Sequence, residues 1–265
     1  EMQLVFLRTF FSALVLGIIL LIKDKSLFKI RHKDLWLFIA AGILSIVLFN
    51  FCYYKTMSLT SLSVAAVLLY TAPFFVVIMS VFIFKQRLTL KKCSACVTAF
   101  VGCCFVTGAF GTGEKLSAAA LCFGLLTGFG YSLYTVFGSL MLNRGYSSYT
   151  ITFYTFGFAL LGCIPFTDFK SAAAVCVNAP AVIPVAFLMA VFNTVIPYLL
   201  YTAGLCGVDA SIAPIIAMVE PVVATLIGAA VYGEPITLSG AAGILIVLLS
   251  VFVLNYKGRV NNAES

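Results

Sequence analysis

Charged residues are scarce in this chain: they make up 9% of its 265 residues, and only nine of the residues are acidic. A soluble domain carries roughly 25% charged residues. Hydrophobic residues reach 63%, and the mean hydropathy is +1.14. The interior of a soluble fold of this length cannot bury so much apolar surface. The scarcity of charge therefore excludes a soluble globular protein.

The sequence also lacks the residues from which most catalytic and metal sites are built. His32 is the only histidine, and the nine cysteines include a single CxxC spacing, Cys93 to Cys96. A structural zinc site needs four such ligands, so we expect no metal, and we expect the cysteines to act as small packing residues. No HExxH, GxSxG or Walker sequence occurs. We therefore expect no cofactor, no enzymatic activity and no ATP-driven pumping by this chain alone.

What the sequence does contain is a series of long apolar runs. A membrane-spanning helix needs about 20 predominantly apolar residues, and nine runs come near or exceed that length. The runs do not alternate with period two, which excludes a transmembrane barrel. The sequence thus predicts an all-α, polytopic integral membrane protein. The runs cover residues 2–22, 34–54, 61–84, 93–110, 117–142, 147–166, 180–206, 210–232 and 236–256, of which 180–206 is long enough to tilt or break.

The positive charges indicate how these helices are oriented. Twelve of the 16 Lys and Arg residues follow the first, third, fifth or ninth run. Short cation-rich loops stay in the cytoplasm, so these loops are predicted to be cytoplasmic in a multi-pass protein of the cell membrane. The net charge of +7 is then a topology signal with an attraction to anionic lipid. It does not indicate a nucleic-acid partner.

The second half of the chain repeats the first in the opposite orientation. Residues 50–106 align with 198–254 at a constant offset of 148, with six identities over 57 positions. The identity is low, but both copies contain two apolar runs, a proline in the first run and a polar hinge between them. The hinge is rich in cations at 85–92 and has none at 233–240. The same corner is therefore predicted on opposite sides of the bilayer, as in the inverted repeats of secondary transporters.

The run at 117–142 has no partner in the first half, because its partner would lie before residue 1. We therefore expect the complete protein to have ten helices in an inverted 5+5 arrangement, with the first helix absent from this sequence and both complete termini in the cytoplasm. A genuine nine-helix protein that starts outside is the alternative.

Glu220 is the only acidic residue well inside an apolar run. A carboxylate in the membrane interior is costly and by default indicates an ion, proton or substrate route. It is predicted to lie near the midplane, on one helical stripe with Ala213, Ala217, Ala224 and Gly228. The alternative is a packing role, with Glu220 neutral or hydrogen-bonded to a neighbouring helix. Four prolines are predicted to break helices near such a site: Pro73, Pro197, Pro214 and Pro221.

A second set of candidate site residues is rich in tyrosine and asparagine. Tyrosine offers a flat apolar body with one hydrogen-bonding tip, which suits a cavity for an organic solute. A belt of tyrosines at the membrane interface is the alternative. Arg8 is predicted to be an outer gate or a partner of Glu220, with snorkelling to the outer interface as the alternative. The other members of the set are Asn50, Tyr53, Tyr70, Tyr131, Tyr134, Asn193, Tyr198 and Tyr201.

Five short segments carry a resemblance to a known family. They lie at residues 7–10, 70–74, 131–136, 220–224 and 232–237, and in this order the chain resembles the drug/metabolite transporter superfamily, in its EamA-type branch. The family usually has a glutamate at both hinges, whereas the first hinge here has Gln86. The resemblance implies ten helices around a central cavity. Its two repeats would cover residues 1–110, without the first helix, and 114–257, followed by a cytoplasmic tail at 258–265.

The resemblance implies a secondary active transporter of small metabolites, often an exporter of amino acids. We expect the solute to bind near the midplane, with alternating access between the two inverted bundles. A proton or counter-substrate as coupling partner and a homodimer are left open. One alternative is an uptake transporter of the same fold for a nucleoside, sugar or vitamin-like solute. Another is an intramembrane enzyme or a non-transporting membrane subunit.

Overall fold

The structure is a computed structural model that describes residues 2–109 and 116–255. Within these two ranges the regular elements are all helical, which confirms the predicted all-α class. The helices in chain order are α1 Met2–Lys23, α2 His32–Leu59, α3 Leu62–Ile83, α4 Leu90–Val106, α5 Ala118–Asn143, α6 Ser148–Phe166, α7 Phe169–Asn178, α8 Val182–Gly204, α9 Ala213–Tyr232 and α10 Leu238–Asn255.

Seven helices in the described ranges are long and apolar enough to cross a membrane, and α10 contains a shorter apolar helix, Leu238–Leu254. The protein is therefore a polytopic membrane protein. Each predicted run coincides with one helix, although α4 begins at Leu90 and ends at Val106, rather than covering 93–110. The repeat boundaries predicted at residues 110, 114 and 257 and the predicted tail at 258–265 lie outside the described residues.

The short helix α7 was not among the predicted elements. Its start is fixed by Asp168, whose carboxylate accepts hydrogen bonds from the backbone N–H groups of Lys170 at 3.0 Å and Ser171 at 3.3 Å. The Ser171 hydroxyl donates a further bond, and together these contacts hold the pKa of Asp168 below its usual range. Ten residues of mixed polarity form no apolar run, so hydropathy gave no signal for this helix.

The 148-residue offset holds in the geometry of the helices. A π-helical stretch interrupts α2 at Ile43–Val47, and another interrupts α8 at Val191–Val195. Likewise α3 is broken just before Ala72–Ile83, and α9 is broken just before Glu220–Tyr232. Each pair of interruptions begins 148 residues apart, so the repeat is structural as well as compositional.

The same offset pairs α1 with α6, α2 with α8, α3 with α9 and α4 with α10. The partners in each pair are five long helices apart, and an odd number of membrane crossings reverses a helix. This order of helices is consistent with the inverted orientation that the cation pattern predicts.

Helices of the two copies pack closely against each other at glycine residues, which have no side chain to keep the backbones apart. At the crossing of α4 and α10, a Cβ added to Gly102 would lie 2.6 Å from Cγ2 of Val247. A Cβ on Gly243 would lie 2.7 Å from the carbonyl oxygen of Gly102. Since real Cβ atoms do not approach so closely, these two glycines allow α4 and α10 to meet backbone to backbone.

Four loops meet at one end of the bundle, which we call the cation-rich face: residues 24–31, 84–89, 144–147 and 205–212. Here Asp34, which is 4% exposed, forms an ion pair with Arg144 and accepts a hydrogen bond from the Tyr146 hydroxyl at 2.7 Å. Arg31 pairs with the same carboxylate at 3.0 Å. These contacts fix the start of α2 against the end of α5.

Candidate functional site

A cavity of about 490 Å³ lies between the two halves of the molecule and receives side chains from α1, α2, α3, α5, α8 and α9. This volume lies within the range of small-molecule sites. Nine of the residues predicted to form the site line it: Arg8, Tyr53, Tyr131, Tyr134, Asn193, Pro197, Tyr198, Tyr201 and Glu220. The structure thus brings together residues that are up to 212 positions apart in the sequence.

Glu220 lies at the break of α9. The first segment of this helix is Ala213–Ala217, and the second begins at Glu220 with Pro221 in its first turn. Pro221 has no N–H and its ring clashes with the carbonyl four residues earlier, so the helix cannot continue through it. The break predicted at Pro221 is therefore present, and Ala217 and Glu220 of the predicted stripe both line the cavity.

The carboxylate of Glu220 faces the cavity without a protein partner. No hydrogen bond or ion pair joins its side chain to another residue within 2–109 or 116–255, and the residue is exposed to the cavity space. The packing alternative, in which a neighbouring helix satisfies this carboxylate, is thus not what the structure shows. The carboxylate stands at the N-terminus of a helix segment, where the helix dipole favours negative charge.

Arg8 enters the same cavity from α1. Its Nη2 donates to Oδ1 of Asn50 at 2.9 Å, and the Asn50 amide in turn donates to the carbonyl of Ile46 at 2.8 Å. Arg8 therefore does not pair with Glu220, and it points inward rather than snorkelling to an interface. Its Nε is buried and has no hydrogen-bond partner in the described part of the chain.

The wall between α5 and α8 is fixed by two reciprocal tyrosine–threonine hydrogen bonds. The Tyr134 hydroxyl lies 2.6 Å from Oγ1 of Thr202, and the Tyr201 hydroxyl lies 2.8 Å from Oγ1 of Thr135. The Tyr134 ring also meets the Tyr198 ring edge-on, with centroids 4.8 Å apart. These contacts satisfy the hydroxyl groups of both tyrosines and leave the aromatic surfaces to line the cavity.

The remaining predicted residues lie around the cavity rather than on its wall. Tyr70, Pro73 and Pro214 line a second, smaller cavity of about 20 Å³ that shares Glu220 with the first. A space of this size holds about one water molecule. Asn50 is buried behind Arg8 and positions it. Pro221 is likewise buried and shapes the helix break.

Four lining residues were not predicted from the sequence, namely Ser45, Phe49, Leu69 and Thr135, and Ala217 was predicted only as a member of the helical stripe of Glu220. The repeat offset was a signal that could have found three of them. Subtracting 148 from Asn193, Pro197 and Ala217 gives Ser45, Phe49 and Leu69, and all six residues line the cavity. The cavity wall therefore follows the internal symmetry of the protein.

A metal site is not evident in the described residues, where no group of three or more His, Cys, Asp or Glu side chains lies close enough to hold an ion. The chemistry available at the cavity is instead that of one guanidinium, one free carboxylate, an asparagine amide and aromatic rings. Such a site can bind and orient a small organic solute by hydrogen bonds and ring contacts.

A sequence model of the EamA-like transporter family matches residues 1–108 and 118–256. An uncharacterized transporter from Archaeoglobus fulgidus is 26% identical over 215 residues, which are 80% of this chain and 75% of that protein. The uncharacterized transporter YetK from Bacillus subtilis is 24% identical over 263 residues, which are 97% of this chain and 79% of YetK.

The uncharacterized inner membrane transporter YicL from Salmonella typhimurium is also similar, with 24% identity over 97% of this chain and 85% of YicL. One solved crystal structure superposes with a TM-score of 0.77 at 15% identity, covering 96% of this chain and 86% of that one. At this identity the superposition shows a common fold.

Proposed function

Because the chain belongs to the EamA-like transporter family, we propose that it is a secondary active transporter that moves small metabolites by alternating access. The observation that carries the proposal is the cavity between two inverted halves, with Arg8 and Glu220 on its wall. A solute bound there would be reached from one side at a time as the halves rock against each other. We propose further that the cation-rich face is cytoplasmic, in accordance with the placement of Lys and Arg.

The charges in the cavity favour amino acids or closely related compounds as solutes. A guanidinium pairs well with a carboxylate, and Arg8 lines the cavity. The free carboxylate of Glu220 is complementary to an ammonium group. Aromatic rings from Phe49, Tyr53 and Tyr131 form a further part of the lining and suit the apolar part of a solute. Export as the direction of transport rests on the family resemblance.

Glu220 is also the proposed coupling group. A carboxylate that binds either a proton or a solute ammonium group, but not both at once, would couple the transport of the proton to the transport of the solute. Coupling of this kind needs no further acidic side chain, and among the residues that the structure describes Glu220 is the one acidic residue that lines the cavity.

The test is solute flux into proteoliposomes, measured with a panel of labelled amino acids at several pH gradients. We expect Glu220→Gln and Arg8→Gln each to reduce flux at least tenfold, because a hydrogen bond to a charged group contributes about 1.5–3 kcal/mol. Glu220→Gln is also expected to abolish the dependence on the pH gradient. The matched control is Asp168→Asn, which neutralises an exposed carboxylate outside the cavity and should leave flux unchanged.

Two results would contradict the proposal. Wild-type liposomes that move no solute from a broad metabolite panel would favour an intramembrane enzyme or a non-transporting subunit. Flux that survives both cavity substitutions would remove Arg8 and Glu220 from the substrate site.

A further inference from the structure

The two copies are joined at the cation-rich face by contacts that lie outside the central cavity. The Ser211 hydroxyl donates to Oε1 of Gln86 at 2.9 Å, and Nζ of Lys92 pairs with Oδ2 of Asp209 at 2.7 Å. Gln86 and Lys92 belong to the first copy, whereas Asp209 and Ser211 belong to the second. The Lys92 side chain is 13% exposed and the Asp209 side chain is 49% exposed, so solvent partly screens this ion pair.

The internal symmetry places an equivalent pair at the opposite face. Adding 148 to Gln86 gives Glu234, and subtracting 148 from Ser211 gives Ser63. The backbone frames agree, because the N–H of Gln86 donates to the carbonyl of Ser80 and the N–H of Glu234 donates to the carbonyl of Gly228. Gly228 is the 148-residue counterpart of Ser80.

The side chains of the two equivalent pairs differ in this structure. Gln86 and Ser211 are hydrogen-bonded, whereas no hydrogen bond joins Ser63 to Glu234, both of which lie in the described ranges. The Glu234 carboxylate instead rests against its own helix, where a Cβ on Gly228 would lie 2.6 Å from its Oε2. One face is therefore tied together by the hinge side chain and the other is not.

We propose that Gln86–Ser211 and Ser63–Glu234 are alternating latches, each closing one face of the transporter in one of its two states. The inference rests on the proposed alternating-access function. In an inverted-repeat transporter the second state arises when the two copies exchange conformations, so each contact of one copy is replaced by its symmetry mate. The Gln86–Ser211 bond seen at the cation-rich face therefore predicts a Ser63–Glu234 bond at the opposite face in the other state.

The two latches are chemically unequal, and this difference sets which state is favoured. Glu234 offers a carboxylate, whose hydrogen bonds are stronger than those of the Gln86 amide. The cation-rich face has the additional Lys92–Asp209 pair, and the counterpart of Lys92 is Gly240, which has no side chain to pair. Small free-energy differences of this kind determine the populations of two conformational states. Lys92 therefore biases the resting protein toward closure at the cation-rich face.

Disulfide cross-linking of the full chain in proteoliposomes tests the latches. Two double variants are made in a cysteine-free background whose solute flux is measured alongside: Gln86→Cys with Ser211→Cys, and Ser63→Cys with Glu234→Cys. We expect the first pair to cross-link rapidly under oxidation and the second to cross-link slowly, as the other state is visited. Addition of Lys92→Ala should speed the second cross-link about two- to fivefold, the range of a partly exposed ion pair. Ser63→Cys with Ile236→Cys is the matched control and should not cross-link.

Hydrogen exchange of the Lys92→Ala protein with its native cysteines provides a second measurement that needs no disulfide. The latch proposal expects faster exchange at residues 205–212 together with slower exchange at residues 233–237, because opening one face closes the other. Faster exchange confined to 205–212 would reveal a merely local role for Lys92 and overturn the proposal.

The outcomes separate the latch from the proposed function. Robust flux with no cross-link between positions 63 and 234 would overturn the latch and leave transport standing. Cross-links that follow the expected order in a protein that moves no solute would support the latch as a conformational pair and overturn transport.

Discussion

At the hinge after α3, Lys85 has a left-handed backbone conformation with φ 52°, and its repeat counterpart after α9, Gly233, has φ 69°. This conformation costs an L-residue roughly 1–2 kcal/mol, whereas glycine adopts it freely. The two hinges thus share one backbone geometry. It is unstrained in the second copy, where the residue is glycine, and strained in the first copy, where the residue is lysine. A tight turn is needed at each hinge, because one helix ends there and the next helix returns into the bundle a few residues later.

Substitution at these two hinge positions is expected to have unequal effects. Gly233→Ala should destabilise the protein by about 1 kcal/mol, since it introduces the left-handed penalty. Lys85→Ala should change stability by less than about 0.5 kcal/mol, because an L-residue already occupies that position. Thermal unfolding in detergent micelles, followed by circular dichroism, measures both. Equal midpoints for Gly233→Ala and the wild type would contradict the role of the left-handed hinge.

At the scale of helices, hydropathy predicts where the chain crosses the membrane but not where a helix changes its hydrogen bonding. The π-helical stretches at Ile43–Val47 and Val191–Val195 lie inside apolar runs. Their amino-acid composition does not distinguish them from the α-helical residues on either side. The break before Glu220, in contrast, was predicted from Pro221. The position of a π-helical stretch depends on what packs beside the helix, so a single segment cannot reveal it.

The crossing of α4 and α10 makes a prediction about helix packing. Gly102→Ala should destabilise the protein by about 1–3 kcal/mol, the usual cost of overpacking, because the new Cβ would lie 2.6 Å from Val247 Cγ2 and 3.0 Å from the Val247 nitrogen. Gly157→Ala in α6 is the matched control, since a Cβ there meets nothing within 4 Å. We expect it to be neutral or slightly stabilising, by helix propensity.

The same unfolding assay compares the two glycine variants. If Gly102→Ala and Gly157→Ala unfold at the same temperature, the close approach of α4 and α10 does not contribute to stability in the way that the contacts indicate.

At the scale of the whole molecule, the inverted repeat decides which residues can meet. Ser45 and Asn193 are 148 residues apart, as are Tyr53 and Tyr201, and all four line one cavity. Two copies of one bundle, placed in opposite orientations, bring equivalent positions to their common interface. A cavity on that interface therefore draws its lining in symmetry-related pairs.

The orientation of the two copies predicts a labelling pattern. In a cysteine-free background, Arg87→Cys and Glu234→Cys should react with a membrane-impermeant maleimide from opposite compartments, because the two hinges are predicted on opposite faces. Arg144→Cys should react from the same side as Arg87→Cys, since both loops belong to the cation-rich face. Labelling of positions 87 and 234 from one compartment would contradict the inverted topology.

The amino-acid pattern alone was sufficient for the membrane class, the helical spans, the repeat offset and most of the side chains that line the cavity. These follow from composition and periodicity, because the bilayer imposes length and polarity on each helix separately. The pairing of Arg8 with Asn50, the free carboxylate of Glu220 and the contact of Gln86 with Ser211 required the folded protein. Each of these features depends on how different helices are placed relative to one another. That placement is fixed by packing between helices, which the sequence of a single helix does not reveal.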